Sequence, residues 1–116
     1  MYIGIDLGGT NIAAGLVSDE GEILHQGSTP TMSERQTGEI VKDMAELSKK
    51  IVSEYGMEMS QVKGIGIGCP GTIDYETGEV VYSNNIKMEH YPLAQEFKKH
   101  LDFPIKVDND ANCAAL

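Results

Sequence analysis

Three runs of strand-forming residues open this chain, and they constrain its fold more than anything that follows. Residues 2–7 (YIGIDL) alternate, residues 11–18 (NIAAGLVS) return apolar after Gly8-Gly9, and residues 22–31 (EILHQGSTPT) follow the Asp19-Glu20-Gly21-Glu22 turn. Pro30 lacks the N–H a ladder needs and marks the end of the third run. Links this short join only neighbours of opposite direction, so the three predict an antiparallel meander.

A helix is expected next. Ile40, Val41, Met44, Leu47, Ile51, Val52 and Tyr55 recur at helical spacing, with Lys, Asp and Glu on the opposite face. Ser33 is the expected N-cap, Glu34 sits in the first turn, and Gly56 is the stop. The Met and Leu stripe reads as core rather than as a ligand surface. Residues 62–68 (VKGIGIG) resemble a buried strand, and a Gly/Pro-punctuated stretch from Cys69 to Asp74 leads to a short strand at 79–82. Pro92 opens a short helix (PLAQEFKKHLD) with Leu93, Phe97 and Leu101 inward, and 105–107 form a last strand. Asp108-Asn109-Asp110 reads as the cap of a helix beginning at Ala111. A natural domain rarely stops one turn into a helix, so residues 1–116 are expected to be the N-terminal part of a longer protein.

The charge balance restricts what such a chain can bind. Its net charge is −9 and its pI about 4.6, a field that repels a phosphate backbone and an anionic membrane. A nucleotide must therefore be held locally, by backbone amides, a metal ion and few cations. Cys69 and Cys113 match neither a disulfide framework nor a metal-ligand spacing, and read as buried thiols in a reducing compartment. No signal peptide is visible, and no apolar stretch approaches the ~18 residues of a membrane span. A cytoplasmic protein is expected.

Three loops carry candidate chemistry. In GIDLGGTNI, Asp6 ends the first strand, where a carboxylate can hold a hydrated divalent metal. Gly8 and Gly9 let the backbone turn sharply and bring N–H groups against phosphate oxygens, and Thr10 and Asn11 add a hydroxyl and an amide. The same residues also make an ordinary hairpin with polar residues facing water, and both readings stand on this motif alone. The second loop, Asp108-Asn109-Asp110-Ala111-Asn112, follows a strand end and carries more polar groups than one helix cap needs. A carboxylate there is placed to accept a proton from a substrate hydroxyl. The third is Gly68-Cys69-Pro70-Gly71, whose glycines permit close backbone approach.

Other nucleotide signatures fail. No Gly is followed by Lys, which excludes a phosphate loop of the Gly-Lys-Ser/Thr kind. Residues 66–71 spell G-x-G-x-x-G, but Thr72 onward reads as turn and strand where a dinucleotide site needs a helix. Asp108, Asn109, Asp110 and Asn112 imitate a calcium loop, yet Cys113 takes the place of its glycine.

DLGGTNI after the first strand, GIGCPGTID in the middle and VDNDANCAAL at the end together resemble the ROK family of sugar kinases and regulators. The resemblance runs from Tyr2 to Leu116 and is greatest to the family's bacterial glucokinases. It implies an α/β, actin-like ATPase fold related to ribonuclease H, in which two lobes close on ATP and a sugar. Residues 1–116 correspond to the N-terminal lobe, a mixed sheet with an antiparallel meander followed by a helix and parallel strands; the second lobe is absent.

The resemblance places Asp6, Gly8, Gly9, Thr10 and Asn11 at the ATP phosphates, with Asp6 holding Mg²⁺ through water. It gives Asn109 and Asp110 to the sugar hydroxyls, with Asp110 as the catalytic base. Gly71 lines the sugar pocket and Asn85 stands on the neighbouring sugar-side loop. Asp108 departs from the family pattern, where Glu is common, and so does Lys87, where Pro often follows the loop asparagine. The implied activity is ATP-dependent phosphorylation of a hexose, foremost glucose to glucose 6-phosphate. The alternatives are an N-acetylhexosamine or fructose kinase, or a regulator that senses sugar without phosphorylating it. Family regulators carry a helix-turn-helix ahead of DLGGT, and with Asp6 five residues from Met1 none is expected here. A homo-oligomer is implied for the full-length protein, with any structural zinc in the missing lobe and none in this chain. The 116 residues alone are expected to be inactive.

Overall fold

The computed structural model describes residues 1–74, 76–83, 86 and 88–109. Its elements run β1 (Tyr2–Leu7), β2 (Asn11–Val17), β3 (Ile23–Pro30), α1 (Thr37–Glu54), β4 (Gly64–Cys69), β5 (Thr72–Asp74), β6 (Glu79–Ser83), β7 (Met88–Tyr91), α2 (Leu93–Lys98) and β8 (Ile105–Asn109). A 3-10 turn at Met59–Gln61 precedes β4.

The larger sheet has the order β3-β2-β1-β4-β8. β1, β2 and β3 pair antiparallel, as the three short-linked runs require. β4 joins β1 in parallel and β8 joins β4 in parallel, so β1, β4 and β8 end at one edge of the sheet. This is the mixed sheet expected from the sequence. One face is apolar: Ile3, Ile5 and Leu7 from β1, Ile12, Ala14 and Leu16 from β2, and Ile67 from β4 are buried. α1 covers that face with Ile40, Val41, Met44, Leu47, Ile51 and Val52, the stripe read from its spacing. Full burial of one such side chain stabilises the fold by ~1.5–3 kcal/mol, so this layer anchors the sheet edge that carries the loops. The opposite face carries the alternate residues Gly4, Asp6, Asn11 and Ala13, all exposed.

Several boundaries differ from expectation. α1 starts at Thr37 after Gln36, not after Ser33. Ser33 and Glu34 instead lie in a turn closed by the Arg35 N–H on the Met32 carbonyl at 3.0 Å, and Met32 itself is left-handed at φ 50°. Tyr55 stands at the helix C-cap and is 44% exposed, so it does not belong to the buried stripe. Gly56 does follow as the stop, its N–H reaching the Ser53 carbonyl. α2 is shorter than the 92–102 pattern, though Leu93, Phe97 and Leu101 are all buried. β8 runs to Asn109, which puts Asp108 and Asn109 in the ladder rather than in a helix cap. The helix expected from Ala111 lies outside the described residues, as does Cys113, whereas Cys69 is fully buried.

A second sheet, β5-β6-β7, was only partly legible. Its middle strand is the one expected at 79–82. β5 is three residues long, and β7 contains His90 at φ 49°, too short and too irregular for alternation to show. Gly78 turns β5 into β6 at φ 73°, and its carbonyl accepts the Ala94 N–H, which ties this sheet to α2.

Candidate functional site

The β1–β2 hairpin is a closed turn, not a loose loop. Leu7 pairs with Ile12, and the Gly8 N–H donates to the Asn11 carbonyl at 3.0 Å. A Cβ on Gly8 would stand 2.8 Å from that same oxygen, so glycine is required here by close approach. Gly8 therefore spends its amide inside the turn. Among the described residues, the N–H groups of Gly9 and Thr10 meet no protein acceptor. Thr10 and Asn11 are exposed.

The parallel register lines up the rest. Asp6 pairs with Gly68 across β1 and β4, and Gly68 pairs with Asp108 across β4 and β8. Residues abreast in a ladder share a face, and strands lie about 4.8 Å apart, so the two carboxylates flank a glycine at roughly 10 Å between backbones. Gly68 itself is buried and puts no side chain between them. Asp6 is exposed and Asp108 half-buried. Oxygen donors at an open, hydrated position suit Mg²⁺. Among the described residues no group of three or more His, Cys, Asp or Glu is arranged to hold a metal ion.

Gly71 is exposed at φ 106°, a left-handed conformation that by itself accounts for glycine, on the link that leaves β4 at the same edge. Asn109 pairs with Cys69 in the last rung of β8. Asp110, the expected base, and Asn85 lie outside the described residues. The structure thus brings Asp6, Gly8, Gly9, Thr10, Asn11, Gly71 and Asn109 to one edge of one sheet.

Three buried hydroxyls among the described residues were not singled out by the sequence, and one of them, Ser48, only donates to the Met44 carbonyl of its own helix. Thr31 is fully buried and its hydroxyl donates to the Gly8 carbonyl at 2.7 Å, so it touches the hairpin from behind. A Thr directly after the proline that ends a strand was the available signal. Ser83 is 5% exposed, and its Oγ has no hydrogen-bond partner among the described residues. A cavity of about 350 Å³ opens between the β5–β6 turn, α2 and β8, but none of the nominated residues that are described lines it.

Comparison with known proteins gives this edge a context. A solved ROK family glucokinase from Streptomyces griseus, in complex with glucose and AMPPNP, superposes with a TM-score of 0.87 at 34% identity; the match covers 98% of this chain and 34% of that one. The glucokinase of Halalkalibacterium halodurans is 35% identical over 115 residues, 99% of this chain and 35% of its own length. The N-acetyl-D-glucosamine kinase of Aliivibrio fischeri is likewise 35% identical, over 116 residues and 37% of its length. The chain thus spans about a third of the length of the curated relatives it matches. No helix among the described residues is long and apolar enough to cross a membrane. The sequence profile of the ROK family matches residues 2–116, and the chain belongs to that family.

Proposed function

We propose that this chain is the nucleotide-gripping N-terminal lobe of a cytoplasmic, ATP-dependent hexose kinase, with glucose as its substrate. The observation that carries the reading is the alignment Asp6–Gly68–Asp108 beside a hairpin with two uncommitted amides. Phosphoryl transfer proceeds through a loose transition state and is catalysed by positioning and charge neutralisation, which an edge of this kind can supply.

The Gly9 and Thr10 amides, with the Thr10 hydroxyl and the Asn11 carboxamide, face the ATP phosphates. Gly8 keeps the turn tight enough for that approach. Asp6 holds Mg²⁺ through water, and the ion, when bound, neutralises charge on the phosphate oxygens. Asn109 and Gly71 meet sugar hydroxyls next to Asn85, and Asp110 takes the proton of the attacking hydroxyl. The activity belongs to a longer, oligomeric protein whose second lobe completes the cleft; these 116 residues alone do not turn over.

Relatives named for glucose and for N-acetylglucosamine are equally similar over this region, so the lobe does not decide between those sugars. The test is a coupled kinase assay of the full-length protein against glucose, N-acetylglucosamine, N-acetylmannosamine and fructose. Glucose-dependent ADP release supports the reading. Turnover of another of these sugars only would correct the substrate, and sugar binding without ATP turnover would replace the kinase with a sugar sensor.

A further inference from the structure

The hairpin that the kinase reading assigns to phosphate is held from behind by a chain of contacts that reaches α1. Thr31 makes two bonds to it: its hydroxyl donates to the Gly8 carbonyl at 2.7 Å, and its N–H donates to the Thr10 carbonyl at 2.9 Å. Thr31 is itself held. Arg35 Nη2 donates to the Thr31 carbonyl at 2.6 Å and pairs with Asp43 Oδ2 of α1 at 2.9 Å, while Arg35 Nε and its N–H both reach the Met32 carbonyl. Arg35 is 21% exposed and Asp43 34%, so the pair is partly shielded. Met32, between them, is left-handed at φ 50°, a conformation that is strained for a residue with a side chain and persists only where neighbours impose it.

The bonds fall on two of the hairpin's peptides, the one that carries the Gly9 N–H assigned to phosphate and the one that follows Thr10. In a trans peptide the C=O and the following N–H belong to one plane and point opposite ways. A donor on the Gly8 carbonyl therefore sets the direction of the Gly9 N–H, and a donor on the Thr10 carbonyl sets that of the Asn11 N–H. Each aims its amide away from Thr31. A hydrogen bond to the carbonyl also polarises the same peptide, which strengthens its N–H as a donor.

Resting on the kinase reading, we propose that Thr31 is the positioning residue of the phosphate hairpin, with Arg35 and Asp43 as its brace. It touches neither substrate nor nucleotide. It acts by pre-orienting the peptide planes of Gly8–Gly9 and Thr10–Asn11, so that binding ATP need not order them.

Thr31→Val removes the hydroxyl at nearly constant shape, and Thr31→Ser keeps it. Two readouts separate this proposal from the one it rests on. The first is amide hydrogen exchange at Gly8, whose N–H is protected by the Asn11 carbonyl and which reports hairpin opening without any ligand. Exchange at Gly8 in Thr31→Val is expected to be at least ~10-fold faster, the loss expected for about one hydrogen bond, with Thr31→Ser near the parent. The second is the split of kinetic constants in the full-length protein. Thr31→Val is expected to raise KM for ATP ~10-fold and leave KM for sugar within about twofold, with Thr31→Ser restoring the parent values.

Unchanged Gly8 exchange and unchanged KM for ATP in Thr31→Val overturn the proposal. So does a drop in stability shared by Val and Ser with no change specific to ATP, because that is a packing role only. If the parent protein phosphorylates no sugar, the kinase reading fails, and Gly8 exchange alone then decides whether Thr31 holds the hairpin.

Discussion

Gly8→Ala probes the closure of the hairpin directly, and its cost can be worked from the geometry. The added methyl carbon lies 2.8 Å from the Asn11 carbonyl oxygen, closer than carbon and oxygen pack. That oxygen is also the acceptor of the Gly8 N–H at 3.0 Å, so moving it away to make room weakens the bond that closes the turn. The lost bond is worth ~1 kcal/mol. Residual overpacking adds ~1–3 kcal/mol. The stiffer unfolded chain returns ~0.4–1 kcal/mol. The net loss is ~1–3 kcal/mol. A chain of 116 residues gains ~0.24 kcal/mol/K of entropy on unfolding, so Tm is expected to fall by about 4–12 °C. Gly4→Ala is the internal control. It lies in β1, the strand that leads into the turn, with nothing within 4 Å of the added carbon, and relief of the glycine entropy cost makes it neutral or stabilising by up to ~1 kcal/mol. Thermal unfolding by circular dichroism compares the two. Melting of Gly8→Ala within about 2 °C of Gly4→Ala would refute the turn geometry described here and, with it, the division of labour between Gly8 and Gly9.

Gly78→Ala meets two penalties at once, φ of 73° and a clash of the added carbon with the Ala94 Cβ, so it is expected to cost ~2–5 kcal/mol, measured as a Tm drop of about 8–20 °C. The Asp19 carboxyl is held down at about 2 by its hydrogen bond to Lys63 and by the Met1 ammonium at 2.8 Å. A depressed folded-state pKa means its stabilisation is present above the unfolded value of 3.8 and disappears as pH falls from there through about 2. Asp19→Asn is therefore expected to melt below the parent at pH 7, to approach it as pH falls below 3.8 and to converge with it only below pH 2, and a constant gap across a Tm series would contradict this. Asp110→Asn in the full-length protein is expected to lower turnover at least ~10²-fold, and near-normal turnover with an intact fold would remove Asp110 as the base.

The large sheet was legible because its information is local. Two short links dictate the meander, and the stripe Ile40, Val41, Met44, Leu47, Ile51 and Val52 dictates the helix that covers it. Pairings of β1 with β4 and of β4 with β8 are non-local, so sequence could place those strands but not their register. That register is what sets Gly68 between Asp6 and Asp108. The start of α1 was misread because Ser33 has capping chemistry, whereas the chain there is committed to a turn that Arg35 closes on Met32. β7 escaped because a left-handed His90 interrupts its alternation. Thr31 escaped for a related reason: nothing in a Thr after a Pro says that its hydroxyl spans 23 residues to reach Gly8.

The acid character of the chain decides how the hairpin must work. Gly9 and Thr10 offer uncharged amides, and beside them stand Asp6 and, across Gly68, Asp108. A carboxylate and a phosphate about 4 Å apart near a protein surface repel by ~4 kcal/mol at an effective dielectric of about 20. A hydrogen bond to a charged acceptor returns ~1.5–3 kcal/mol, so two amides roughly cancel one carboxylate and leave little for affinity. A distant net charge of −9 matters less, since physiological salt screens it beyond about 8 Å. If the hairpin grips phosphate as proposed, the adverse term is Asp6 itself, and a divalent cation held there would supply the charge that reverses its sign. On the kinase reading, Asp6 would oppose a bare triphosphate and favour the magnesium complex, and the amides would be left to fix where the phosphates sit rather than how strongly they are drawn in.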